Sequence, residues 1–161
     1  MIPLRPALEQ VAWADDRFFA FLETLPDAAW RAKAAPDEWD VAGLTFHLVA
    51  SADWFGYQLG GPLRFTRDPS SLDEVKALRP VWRDVDAYLV AQADEEDSTV
   101  TFEEDGQVHE VRRSTVLTEV ILHAVEHRAQ VAAALKAGGF PSPELQDFSV
   151  WPFAQGTARD G

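Results

Sequence analysis

The stretch TEVILHAVEHRAQVAAAL, residues 118–135, decides the fold that this chain can adopt. Its apolar residues recur at the three- and four-residue spacing of an amphipathic helix. A Ser-Thr pair before the stretch can cap the start of that helix, and a Gly-Gly pair after it can end the helix. We therefore predict a long helix over residues 114–137. It carries two histidines, His123 and His127, one turn apart on one face.

Working outward, three further segments have helical periodicity, over residues 4–25, 40–58 and 71–95. Asp40 is the predicted N-cap of the second helix, because an aspartate carboxylate accepts hydrogen bonds from the free amides of a first turn. Pro80 lies inside the third segment. A proline at that position either kinks the helix or marks its true start, and both alternatives stay open.

The segment before the last helix alternates apolar and polar residues, which indicates strands rather than helix. An Asp105-Gly106 pair divides it, so we predict a hairpin over residues 98–112. The segment after the last helix is rich in proline and aromatic residues. We expect its aromatic side chains to pack on the bundle or on a second subunit, and the final AQGTARDG to fray. These aromatic residues are Phe140, Phe148, Trp151 and Phe153.

Four helices and one hairpin predict an all-α protein, an antiparallel four-helix bundle with an extended C-terminal tail. A length of 161 residues is typical of one domain, so we assign residues 1–161 to a single domain. Bundles of this kind build metal sites from side chains that face each other across helices.

Composition excludes several classes of function. The 14 Lys and Arg against 27 Asp and Glu give a net charge of −13, which disfavours nucleic acid and anionic membranes as partners. The alternative is that the excess of acidic residues only keeps the protein soluble and indicates no particular function. No apolar run approaches the roughly 20 residues of a membrane span, and the first residues lack a signal peptide, so we expect a cytoplasmic protein. The chain has no cysteine, so any metal has to be held by histidines and carboxylates.

The four histidines are the residues most able to bind a metal. His123 and His127 lie among apolar residues, and His47 lies in the apolar middle of the second helix. Three neutral imidazoles leave a fourth position for water or substrate, as in catalytic zinc-type sites. The alternative is a set of surface or interface histidines satisfied by hydrogen bonds. His109 follows the Asp-Gly turn and is expected to be a solvated hairpin residue.

Two sequence blocks point to a known family. One is EWDVAGLTFHL, with Trp39, Val41, His47 and Leu48, and the other is HAVEHRAQ, with His123, His127, Arg128 and Gln130. The chain resembles the DinB superfamily of four-helix metalloproteins, which includes YfiT-like proteins and thiol transferases of the bacillithiol and mycothiol type. The resemblance covers nearly the whole chain. It implies that His47, His123 and His127 are metal ligands and that the protein is a homodimer.

Several other side chains close to the histidines in sequence could have either a functional or a structural role. Glu119, one turn before His123, could orient an imidazole or carry a proton, whereas Glu126 is more simply a solvated carboxylate. Arg128 and Gln130 could anchor substrate or pack against another helix, and Arg128 could pair with an acid of the first helix. The acids that could pair with it are Asp15, Asp16 and Glu23. Trp54, two turns after His47, could wall a pocket or fill the core.

Three classes of function follow from these residues. The first is a metal-dependent enzyme, which joins a low-molecular-weight thiol to a small electrophilic substrate or hydrolyses a substrate with metal-bound water. The second is a protein that binds a metal or small ligand without turnover. The third is a structural dimer with empty histidines. Zinc, nickel, iron and manganese all accept imidazole ligands, so the sequence does not select among them.

Overall fold

The structure is a computed structural model that describes residues 3–104 and 106–157. These residues form six α-helices, two short 3-10 helices and one antiparallel hairpin. The helices are α1 (Leu4–Glu23), α2 (Val41–Gln58), α3 (Leu72–Lys76), α4 (Arg79–Gln92), α5 (Arg113–Ala137) and α6 (Val150–Thr157), and the strands are β1 (Thr99–Glu104) and β2 (Gln107–Arg112). The predicted helical fold with one hairpin before the last long helix is confirmed.

The helix ends follow from local chemistry. Asp40 caps α2 as predicted, because its carboxylate accepts a hydrogen bond of 2.8 Å from the amide of Gly43. Gly60, with a φ of 95°, ends the same helix in the left-handed conformation that glycine adopts without strain. The start of α5 differs from the prediction, because Ser114 lies inside the first turn. Its amide donates to the Asp97 carboxylate at 2.9 Å, so the acid that satisfies this end comes from the residues before the hairpin.

The third predicted helix, residues 71–95, is divided into α3 and α4. Pro80 lies in the first turn of α4, where a missing N–H costs no hydrogen bond and the ring meets no preceding carbonyl. Of the two alternatives left open by the sequence, Pro80 therefore marks a true helix start. Ser71 separately caps α3 by accepting a hydrogen bond of 3.3 Å from the Glu74 amide.

The four long helices pack so that α1 and α2 each contact both α4 and α5. The apolar faces of α1 and α2 supply much of the core, in which Phe18, Phe19 and Trp30 are fully buried. Truncation of one of these aromatic side chains to alanine would cost about 3–5 kcal/mol of stability. Because α2 and α5 are direct neighbours, side chains on their facing surfaces can meet.

The hairpin pairs Thr99 with Arg112 and Glu104 with Gln107, and it packs on α2 and α5. Gly106 has a φ of 74°, as the predicted tight turn requires, whereas Asp105 lies outside the described residues. Phe102 of β1 packs edge-on against the Trp54 ring, with ring centroids 5.5 Å apart. The hairpin therefore covers the second half of α2.

The tail after α5 folds back on the bundle and ends in the short helix α6. Phe148 packs edge-on against Phe18 at 5.5 Å, and the Phe153 ring lies 5.7 Å from that of Trp13. Phe140 packs on the main core. Trp151, by contrast, is 78% exposed, so it does not pack on the bundle; the other alternative, packing on a second subunit, stays a prediction for this residue. Residues 154–157, which we expected to fray, belong to α6, and residues 158–161 lie outside the described part.

None of the helices formed by residues 3–104 and 106–157 combines the length and hydrophobicity that crossing a bilayer requires.

Candidate metal centre

The three histidines singled out by the sequence meet between α2 and α5. His47 projects from α2, and His123 and His127 project from α5 one turn apart. The Nε2 atom of His123 lies 3.2 Å from Nε2 of His47 and 3.1 Å from Nε2 of His127. Candidate ligand atoms of all three residues lie within 4.8 Å of one another, and each ring is half-buried.

Hydrogen bonding alone does not satisfy this arrangement. An imidazole nitrogen carries either one hydrogen or one lone pair, so Nε2 of His123 can make one good bond and not two. A cation at the centre of the three rings would use all three lone pairs. Two nitrogens bound at ~2.0–2.1 Å to one tetrahedral ion lie about 3.3 Å apart, close to the separations found here. The donor set therefore fits a divalent transition metal.

Burial favours the neutral form of two of the three imidazoles, His47 and His123, and metal binding requires neutral imidazoles. Burial lowers the pKa of His123 to about 4, with smaller contributions from His127 and His47. Burial, together with His127, also lowers the pKa of His47 below its usual value. Two of the three rings are therefore unprotonated at neutral pH, with lone pairs available to a cation.

Gln130 orients the third ring. Its Oε1 lies 2.7 Å from Nδ1 of His127, and its amide nitrogen lies 3.4 Å from a carboxylate oxygen of Glu126. Because a carboxylate only accepts, Glu126 turns the amide nitrogen toward itself and the amide oxygen toward His127. His127 then donates from Nδ1, which leaves the lone pair on Nε2 facing the centre. Gln130 thus contacts a candidate ligand, a role that neither sequence-based alternative included.

Arg128, the residue after His127, is buried inside the bundle. Its side chain is 3% exposed and forms an ion pair with Asp15 of α1, one of the three acids considered from the sequence. Burial raises the pKa of Asp15, and the Arg128 charge opposes the rise. The neighbouring carboxyl of Asp86 is also buried, and its pKa is raised well above the usual value by burial and by Asp15. Arg128 therefore joins α5 to α1 through a buried ion pair, which is the packing role that the sequence offered as one alternative.

Two side chains on the α2 side contact His47 but were not assigned to the site from the sequence, although Trp39 belongs to one of the two blocks that carry the family resemblance. The exposed ring of Trp39 lies against the His47 ring, with centroids 4.7 Å apart. The Ser51 hydroxyl lies 3.4 Å from Nε2 of His47, one turn along the helix. The four-residue spacing of Ser51 from His47 was a signal available in the sequence. Trp39 precedes α2, so helical spacing could not have placed it.

A cavity of about 670 Å³ opens beside the histidines, between α2, the hairpin and the start of α5. We call it the hairpin-side cavity. His47 and His123 line it, and so do the Trp54 ring and the Glu119 carboxylate, as their sequence positions suggested. Its remaining wall comes from side chains of α2, both strands and α5, which include Phe55, Gln58, Phe102, Glu104 and Thr115. This volume is within the range of sites for small molecules.

His109 takes no part in the centre. Its ring stacks on Phe102 with centroids 5.3 Å apart, and the metal-binding cluster found among the described residues does not include it. His109 is a hairpin residue as predicted, but it is half-buried rather than solvated, because Phe102 covers one face of its ring.

Comparison with models of known protein families identifies the family of this chain. The model of the family described as the DinB family matches residues 4–152, which is most of the chain and includes all three histidines of the centre. A comparison with curated protein sequences gives no significant match. By the extent of the family match, the chain belongs to the DinB family.

Proposed function

We propose that this protein is a metal-dependent transferase that joins a small thiol to an electrophilic substrate. The observation that carries the proposal is the convergence of three imidazole nitrogens beside an open cavity of about 670 Å³. Three protein ligands leave a coordination position free, which is typical of catalytic rather than structural sites. The DinB resemblance adds thiol transfer to the reactions that such a centre could perform.

A divalent cation held by these histidines would lower the pKa of a bound thiol, so that a thiolate forms at neutral pH. The chain has no cysteine, and the thiol therefore has to be a cosubstrate. His47, His123 and His127 would hold the cation, and Gln130 orients the His127 ring. Three aromatic side chains, Trp54, Phe55 and Phe102, line the cavity, and in the proposed reaction they would shield one side of the reacting groups from water.

Glu119 is the residue that we assign to proton transfer. It lies one helical turn before His123 and lines the same cavity. In the proposed reaction its carboxylate accepts the proton of the thiol, directly or through one water molecule, and releases it to solvent. The sulfur forms a bond to an electrophilic carbon, and a leaving group departs with the electron pair of the broken bond.

The test is metal-dependent consumption of thiol. Protein purified without a histidine tag, stripped of metal and reloaded with zinc, nickel, iron or manganese, is incubated with a thiol and an electrophile such as 1-chloro-2,4-dinitrobenzene. We expect thioether formation with at least one metal, loss of it after stripping, and loss of it in His47→Ala. Absence of thioether with every metal and electrophile would contradict the proposal. Hydrolysis of a substrate under the same metal dependence would instead identify a metal-dependent hydrolase, and metal binding without turnover would identify a binding protein.

We also propose that the protein functions as a homodimer. Support comes from apolar side chains on the outer surface, where Leu122 and Val125 of α5 are exposed and Trp151 of α6 is 78% exposed. Light scattering coupled to size exclusion measures the mass, for which we expect twice the 17.9 kDa of one chain. A monomer at micromolar concentration would contradict the proposal.

A further inference from the structure

A small cavity lies inside the bundle, next to the metal centre. It has a volume of about 10 Å³ and is lined by residues of all four long helices, α1, α2, α4 and α5. We call it the central cavity. Three of its lining residues are polar, namely Asp15, Asp86 and His123. The others are apolar: Leu48, Ala52, Phe55, Trp82, Val120 and Ala124. The central cavity therefore brings one candidate metal ligand together with two buried acids.

Asp86 of α4 is a buried acid without a protein partner. It is 6% exposed, yet its carboxyl group forms no hydrogen bond or ion pair with any residue of the described ranges 3–104 and 106–157. Asp15, beside it, has the Arg128 guanidinium as its partner. Burial of a carboxyl group without a hydrogen bond is costly, and buried polar groups in native proteins almost always have a partner. The structure therefore points to a further partner for Asp86 inside the central cavity.

His123 has one ring nitrogen in the same situation. Its Nε2 atom lies 3.2 and 3.1 Å from Nε2 of His47 and His127. An imidazole that binds a metal through Nε2 carries its hydrogen on Nδ1. Nδ1 of His127 has the Gln130 oxygen at 2.7 Å, whereas Nδ1 of His123 has no hydrogen-bond partner in the part of the chain that the structure describes. His123 thus lacks the acceptor that a metal-binding histidine almost always has.

The central cavity has the size and the chemistry to hold one water molecule. A buried water needs roughly 10–15 Å³ of space and two to four polar partners. The cavity provides about 10 Å³, and Asp15, Asp86 and His123 provide three polar partners. Its other walls are apolar, so a water placed there would bond to these three residues alone.

We infer that Asp86 is a positioning residue of the metal centre, which holds the His123 ring through one water molecule in the central cavity. Nδ1 of His123 donates a hydrogen bond to the water, and the water donates one to a carboxyl oxygen of Asp86. The bridge keeps the hydrogen of the ring on Nδ1 and the lone pair of Nε2 toward the cation. It forms with a charged or a neutral Asp86, because both forms have an oxygen that accepts. The inference rests on the three-histidine centre and not on the reaction proposed for it.

Asp86→Leu and Asp86→Asn form a matched pair of variants. Both remove the buried acid, but asparagine keeps an oxygen that accepts from the water and leucine does not. We measure zinc affinity by competition with a chromophoric chelator, on tag-free protein at pH 7.5. Asp86→Leu should bind zinc about tenfold more weakly than the parent or worse, and Asp86→Asn should stay within about threefold. Asp84→Leu is the control and should bind as the parent does, because Asp84 is an exposed acid of α4 that does not line the central cavity.

The stability of the metal-free variants separates positioning from a purely structural role. Both Asp86 substitutions remove an unpaired buried acid, so both variants should unfold at the same urea concentration as the parent or a higher one. A structural role would instead lower zinc affinity only where it lowers stability. Zinc affinity in Asp86→Leu equal to that of the parent would overturn the inference, and so would an equal loss of affinity in Asp86→Leu and Asp86→Asn.

A crystal structure of the parent tests the bridge without any substitution, and so decides the matter even if Asp86→Leu fails to fold. We expect one water in the central cavity, within about 3.2 Å of both Nδ1 of His123 and a carboxyl oxygen of Asp86. A dry cavity, or an Nδ1 bonded to another acceptor, would overturn the inference. None of these measurements uses a thiol or an electrophile, so a protein that consumes no thiol would refute the proposed transferase and leave the role of Asp86 standing.

Discussion

Gln130→Ala should weaken metal binding without affecting the fold. The substitution removes the oxygen that lies 2.7 Å from Nδ1 of His127 and so removes the acceptor that orients this ring. Loss of such a partner to a metal-binding histidine typically costs 10–100-fold in metal affinity. Gln130 is exposed, so water can replace part of the lost hydrogen bond. We therefore expect the lower end of that range, about tenfold or ~1.4 kcal/mol.

The assay is competition with a chromophoric chelator for zinc at pH 7.5, on protein purified without a histidine tag. Gln130→Glu is the matched control, because a carboxylate retains an acceptor beside Nδ1 and makes a stronger, charge-assisted bond. We expect the Glu variant to bind metal at least as tightly as the parent. An affinity in Gln130→Ala within twofold of the parent would refute the orienting role. An equal loss in the Ala and Glu variants would refute it as well, because the amide would then matter for another reason.

Three further predictions concern stability. Arg128→Met should lower the free energy of unfolding, measured in urea, by about 3–5 kcal/mol, because it leaves the buried Asp15 carboxylate without its partner. Adding Asp15→Leu to this variant should restore part of the loss. Asp86→Asn should stabilise the protein by about 1 kcal/mol at pH 7, because burial raises the pKa of this carboxyl and so disfavours its charged form in the folded protein. The gain should vanish below about pH 4, where Asp86 is protonated in both the folded and the unfolded protein. Metal-free protein should lose stability as pH falls from about 6.5 toward 4. In this range His123 takes up a proton in the unfolded chain, whereas in the folded protein its pKa of about 4 keeps it unprotonated. His123→Phe should reduce that loss, and an unchanged pH dependence would contradict the assignment.

The sequence was sufficient to predict features that depend on local spacing. The four-residue interval between His123 and His127 places them on one face of any helix, and Asp40 caps α2 through contacts within one turn. Helices of a bundle pack side by side, and α2 and α5 are neighbours. This expectation is why His47 of α2 was predicted to share a metal site with the two histidines of α5. The single-domain assignment stays a prediction.

Features that depend on distant contacts could not be predicted in the same way. The buried pair of Arg128 and Asp15 joins residues that are 113 positions apart, so the sequence left its role open between substrate binding and packing. The role of Gln130 depends on which way its amide faces, and Glu126 sets that direction through a side-chain contact. The position of the loop after α2 depends on Asp53, whose carboxylate accepts hydrogen bonds from the amides of Arg64 and Phe65.

The measurement that tests the metal centre most directly is X-ray absorption spectroscopy on tag-free, zinc-loaded protein, together with the zinc content of His47→Ala. We predict one zinc per chain with three imidazole nitrogens at ~2.0–2.1 Å and one further light ligand. His47→Ala should lose one of these nitrogens and most of the bound zinc. A coordination shell of oxygen without imidazole, or full zinc content in His47→Ala, would contradict a centre built from His47, His123 and His127.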